Sequence, residues 1–104
     1  MVSELLTQEY HRLNNRLQTL QQQGIAPENT WLSPNRRQSK KGIRTYWRVN
    51  TKTEHGTVTD YLGIEGCVQH LAWDAKIVRR EEASELKIQL RLLNELINRQ
   101  AAIA

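Results

Sequence analysis

Ile43-Arg-Thr-Tyr-Trp-Arg-Val49 is the stretch on which the fold turns. Its β-branched and aromatic residues alternate with cations at a period of two, a pattern that suits a pleated strand and that helices disfavour. The same strand lies inside a charge block. Arg36, Arg37, Lys40, Lys41, Arg44, Arg48 and Lys52 stand between positions 36 and 52 with no acid among them. A strand that carries such a block presents a basic, aromatic surface, and the partner for such a surface is a polyanion.

Working outward, residues 57–63 repeat the strand signature, and Thr51-Lys-Thr-Glu-His-Gly56 joins the two as a β-hairpin. Period-two alternation puts Ile43, Thr45, Trp47 and Val49 on one face with Val58 and Leu62. It puts Arg44, Tyr46 and Arg48 on the other with Thr57, Thr59 and Tyr61. Asp60 falls on the apolar face, the one residue out of place. Two strands alone are marginal in water, so a helix has to cover the apolar face.

Both flanks supply helices. Over residues 3–23, Leu6, Tyr10, Leu13, Leu17 and Leu20 recur at alternating four- and three-residue steps, with Ser3 placed to cap the start and Gly24 to end it. Residues 25–42, with Pro27, Pro34 and a Lys-Lys-Gly ending, read as a long connection. Trp31-Leu32 tacks its middle to the core, and Pro34–Gly42 forms a mobile basic arm. From Glu65 to about Gln100 no Pro or internal Gly interrupts a helical pattern after Gly66. One long helix is favoured over two, because good helix formers fill the joint at Arg79-Arg-Glu-Glu82. Leu71, Ala75 and Val78 form its early stripe. Leu86, Leu90, Leu93 and Ile97 form the later one, with Ile88, Leu92 and Leu96 beside it. That width exceeds a single coiled-coil seam, so the distal half, Leu86–Ile97, has to pack on the N-terminal helix, on another subunit, or on both, as an antiparallel or dimeric bundle; a homodimer with the C-terminal helices paired is favoured. The architecture expected is a single small α+β domain.

Composition bounds the function. With 104 residues, 38 % hydrophobic content and no Phe, the core has to be built from aliphatic residues, three Trp and three Tyr. The net charge of +4 is uneven: −1 over residues 1–35, +7 over 36–52, −4 over 53–75 and +2 thereafter. The competing reading of the basic block is therefore that it docks on Glu54, Asp60, Glu65 and Asp74. One cysteine excludes an internal disulfide and fits a reducing compartment, and with no signal peptide or membrane span in view a cytoplasmic location is expected. Cys67-Val-Gln-His70 has half of a zinc spacing, with only His55 and Asp74 to complete it. A small buried thiol beside a surface histidine is the simpler account, and no metal or other cofactor is expected. No triad motif or Gly-rich phosphate loop occurs, and Glu81 and Glu82 point about 100° apart on a helix, so no enzyme is expected.

Tyr46-Trp-Arg-Val49, Gly56-Thr-Val58 and Tyr61-Leu-Gly63, with Ala75-Lys-Ile-Val-Arg-Arg80 and the leucine-rich helix after it, resemble a hairpin-plus-helix pattern. The pattern occurs in small uncharacterised proteins and at the N-termini of some transposases and integrases, and the likeness spans about residues 41–97. In those families the sheet is implicated in DNA contact. The resemblance implies a detached DNA-binding or accessory module, without recombination activity. The function expected is nucleic-acid binding in a regulatory or accessory role, with DNA favoured over RNA. Arg44, Tyr46, Arg48 and Tyr61 face the ligand beside Thr57 and Thr59, while Arg36, Arg37, Lys40, Lys41 and Lys52 grip phosphates. The alternative is a non-enzymatic adaptor that assembles through Leu86, Leu90, Leu93 and Ile97 and meets an acidic protein with its basic segment.

Overall fold

The computed structural model describes residues 3–103. The chain is α+β, in the order α1 (Glu4–Gln23), β1 (Thr30–Ser39), β2 (Gly42–Thr53), β3 (Gly56–Ile64) and α2 (Val68–Ile103). It divides into two compact units. One is α1 with the part of α2 from Arg79 onward, and the other is Ile25–Val78. No helix among the described residues is long and apolar enough to cross a membrane.

In the sheet unit the strands form one antiparallel sheet in the order β1-β2-β3. Residues 43–63 are the hairpin that the alternation implied, but residues 30–39 are a third strand rather than part of a mobile loop. β1 pairs with β2 from Thr30↔Thr51 to Ser39↔Gly42. Pro34 is tolerated because β1 is an edge strand, where a missing N–H costs least.

Both connections are two-residue turns built the same way. In Ser39-Lys-Lys-Gly42 the Ser39 hydroxyl donates to Gly42 O (3.1 Å) and accepts from Lys41 N (3.3 Å). In Thr53-Glu-His-Gly56 the Thr53 hydroxyl donates to Gly56 O (2.7 Å) and accepts from His55 N (3.3 Å). Gly42 and Gly56 close these turns at φ 114° and 113°, in a region that L side chains avoid.

One sheet face is covered by the first turns of α2. Trp47 stacks on His70, with centroids 4.8 Å apart and planes 9° from parallel, and its indole N–H donates to Glu65 (3.2 Å). Ala26 N donates to Lys76 O (3.1 Å), which ties the segment ahead of β1 to the same helix. Val49, Leu62 and Ala26 are buried here. A register shift beside Trp47 and Arg48 leaves Leu62 without a cross-strand partner. His70 is therefore a buried residue rather than a surface one. The expected stripe of Leu71 and Val78 is exposed instead, because the helix turns His70 toward Trp47 and these two residues lie about 90° round from it.

In the helical unit α1 and α2 run antiparallel. Ser3 N donates to the Gln100 side chain (3.0 Å), Arg16 pairs with Glu82 (3.0 Å), and Arg79 donates to Gly24 O (2.6 Å). The 4-3 stripe of α1 is the buried one, through Leu13, Leu17 and Leu20. Ser3 occupies the N-cap position, but its hydroxyl makes no cap bond. Gly24 ends the helix at φ 98°, with its N–H on Leu20 O and Gln21 O. From α2, Ala83, Leu86 and Leu90 are buried and Leu93 and Ile97 are half-buried. The expected homodimer seam thus lies on the side of α2 that packs within the chain. A 4-3 apolar seam is met equally well by an antiparallel helix of the same chain, and here α1 provides it.

Candidate nucleic-acid interface

The register sets the composition of the sheet's second face. Strand pairing places Arg37↔Arg44, Asn35↔Tyr46 and Ser33↔Arg48 side by side, and Trp31 beside Asn50. From β3 it adds Tyr61 beside Arg48, Thr59 beside Asn50 and Thr57 beside Lys52. Directly opposed residues share a face. This open face therefore carries Arg37, Arg44, Arg48 and Lys52, the aromatics Trp31, Tyr46 and Tyr61, and no acid. Trp31 is 43 % and Tyr61 53 % exposed.

Polar contacts hold the face in place. Tyr61 Oη accepts from Asn35 (3.0 Å) and from Arg37. The Arg37 guanidinium lies 5.3 Å from the Tyr46 ring centroid and 5.4 Å from that of Tyr61, a cation held against two rings. Asn50 is buried and donates to Trp31 O (3.4 Å) and Ser33 Oγ (2.9 Å), while Thr59 donates to its side-chain oxygen (2.8 Å). A backbone carbonyl only accepts, so the Trp31 contact fixes the amide orientation. Arg48, in the centre of the sheet, has a buried Nε with no hydrogen-bond partner among the described residues. A buried charged donor without an acceptor is costly, and this one is closed to solvent.

Beyond the pairing of Tyr46 with Ile64, β3 ends and β1–β2 continues alone. Residues 36–39 and 42–45 form a two-stranded ribbon that projects about 13 Å past the sheet. Lys40-Lys41 forms its tip. Arg37 and Arg44 line the open side, and Arg36 lies on the opposite side with Gln38, Ile43 and Thr45. Ile43 is largely exposed.

The candidate residues are thus sorted into three places. Arg37, Arg44, Tyr46, Arg48, Lys52, Thr57, Thr59 and Tyr61 share the open face, Lys40 and Lys41 cap the ribbon, and Arg36 is on its other side. The basic arm is a structured ribbon, since each of its residues outside the turn has a cross-strand partner. Trp31, Ser33, Asn35 and Asn50 join the face through β1 and β2, and Trp31 does not tack down the core. Among the described residues, no ion pair joins these cations to Glu54, Asp60, Glu65 or Asp74. The register explains why: Glu54 is in a turn, Asp60 is on the covered face opposite Val49, and Glu65 is bonded to Trp47.

Near Cys67, the His70 Nδ1 accepts from Gly66 N (3.0 Å) and the thiol contacts Leu62 O (3.5 Å) and His70 N (3.4 Å). Among the described residues no three His, Cys, Asp or Glu side chains group as a metal site. The chain matches no protein-family model, no curated protein and no solved structure.

Proposed function

We propose that this chain is a nucleic-acid-binding protein of regulatory or accessory type, and that it engages DNA through the open sheet face and the β1–β2 ribbon. The observation that carries the reading is a sheet face with four cations and three aromatics, with no acid on it and, among the described residues, no ion pair to its cations. Ordinary solvated sheet faces mix charge signs, because like charges on neighbouring strands destabilise the pair. Here Arg37 and Arg44 are directly opposed. That cost is recovered when a polyanion neutralises both.

DNA is favoured over RNA by the ribbon. Two strands with their side chains suit the B-form major groove, about 12 Å wide, whereas the A-form major groove is deep and narrow. Arg37 and Arg44 supply forks for phosphate or guanine, and Tyr46, Tyr61 and Trp31 supply flat contact area. Of these, Tyr46 and Tyr61 fall within the Tyr46-Trp-Arg-Val49 and Tyr61-Leu-Gly63 runs that resemble the transposase and integrase hairpins.

The test is a titration of mixed-sequence duplex across a range of salt. With five to seven phosphate contacts, log K against log salt has a slope of about −4 to −6. Absence of binding at low salt overturns the proposal. A slope near zero would show that the cations do not meet phosphates.

A further inference from the structure

With Leu86, Leu90, Leu93 and Ile97 turned toward α1, α2 keeps a second apolar row that nothing among the described residues covers. Ile88, Leu92 and Leu96 are 47, 51 and 45 % exposed and stand four residues apart. Leu92 and Leu96 line two separate grooves. One, of about 400 Å³, is completed by Leu13, Gln89 and Leu93 with Glu9 and Arg12 at its rim; the other, of about 300 Å³, is completed by Glu95 and Arg99. The rim is set, since Arg12 donates to Glu9 (2.9 Å) and holds that carboxyl below the ordinary carboxylate range. A four-residue ridge with a groove on each side is the shape that packs against a second copy of itself, ridge into groove.

Charge decides the orientation. Glu85 and Arg99 each lie seven residues from Leu92, at either end of the same row, and Ile88 and Leu96 each lie four residues from it. A parallel pair centred on Leu92 would set Glu85 against Glu85 and Arg99 against Arg99. An antiparallel pair with its two-fold axis at Leu92 sets Ile88 on Leu96 and Glu85 on Arg99, twice over. A two-fold interface requires this self-complementarity. We infer that the exposed row Ile88-Leu92-Leu96 is a homodimer interface in which two copies of α2 pair antiparallel about Leu92, with Glu85 of each copy meeting Arg99 of the other. It makes no use of the sheet face and stands whether or not the chain binds DNA.

An apolar row this short gives a small interface, at the weak end of specific association. The test is sedimentation equilibrium of the full chain, without nucleic acid, from about 10 to 500 µM. The expected result is a concentration-dependent dimer. Leu92→Glu abolishes it while the far-UV circular dichroism and melting temperature stay as in the parent, because Leu92 is outside the buried seam. Leu96→Gln weakens it in the same way, should the first variant lose its fold. Glu85→Arg and Arg99→Glu each raise the dissociation constant about 5- to 20-fold, by setting like charges together at two symmetric places. The double exchange restores it, whereas a parallel pair would be indifferent to the single exchanges as well, because its 85–85 and 99–99 contacts stay like-charged throughout. A monomer at every concentration, a dimer indifferent to Leu92→Glu, or a double exchange that fails to restore pairing overturns the inference.

Discussion

Replacing Arg37, Arg44 and Arg48 together with alanine lowers affinity for duplex DNA about 100- to 1000-fold at physiological salt. Each guanidinium lost from a phosphate or base contact costs about 1–1.5 kcal/mol, and a factor of ten is 1.4 kcal/mol. The salt slope falls by about 0.9 for each phosphate contact removed, so a triple variant that loses three contacts has a slope shallower by about 2.7. Removing the same charge from Arg12, Lys87 and Arg91, which lie on the helices, is the control. If the sheet face alone meets the phosphates, it changes affinity by less than about threefold, because a charge that meets no phosphate releases no counterion. Equal losses in the two triple variants would show that net charge, not the sheet face, drives binding. The arginines on the face are not fold determinants. Arg37 contributes contacts to Tyr46 and Tyr61 of about 0.5–1 kcal/mol each at an exposed site. Circular dichroism of the variant should therefore match the parent.

The largest effect on stability is expected at Leu20. Its side chain is only 1 % exposed, in the seam with Leu13 and Leu17 of α1 and Ala83, Leu86 and Leu90 of α2. Leu20→Ala removes buried methylenes and leaves a cavity, at a cost of about 2–5 kcal/mol. A domain of this size has about 5–15 kcal/mol in all, so the midpoint of a urea transition should fall markedly. Far-UV circular dichroism follows the helices. Trp31, Trp47 and Trp73 all lie within Ile25–Val78, so tryptophan emission follows the sheet unit alone. Recording both signals shows directly whether the sheet unit unfolds with the helices. An unchanged helical midpoint would show that Leu20 is not the centre of this core.

Much of this fold is written in local patterns. Alternation over residues 43–49 and 57–62 sorted the faces of β2 and β3 as the register has them, with Arg48 beside Tyr61 and Lys52 beside Thr57. The 4-3 leucine spacing located α1, and the absence of breakers from Val68 onward located α2 as one helix. β1 was hidden for a physical reason. An edge strand pairs on one side only, so it tolerates Pro34 and a polar run, Asn35-Arg-Arg-Gln-Ser39, that a central strand would reject. The signal was nonetheless present, since Ser39-Lys-Lys-Gly42 has the same chemistry as the Thr53-Glu-His-Gly56 turn. Missing β1 meant missing Trp31, Ser33 and Asn35 from the open face. The destination of the α2 leucines was not legible either. Periodicity specifies that a seam exists, but whether its other half comes from α1 or from another chain depends on long-range packing.

The projecting ribbon has a thermodynamic consequence. Residues 36–45 have no third strand beside them, and Ile43 stays largely exposed. Apart from Thr45 O, which accepts from Glu65 N (2.9 Å), their hydrogen bonds are held by a two-residue turn and one partner strand, a combination that is marginal on its own. The free energy of opening this segment is therefore well below that of the central pairs around Val49 and Asn50, and its amides exchange with solvent sooner. A ligand that grips the ribbon has to supply the ordering that the fold leaves out. Amide protection on binding should accordingly rise most at positions 36–45, and least where β2 is already flanked on both sides.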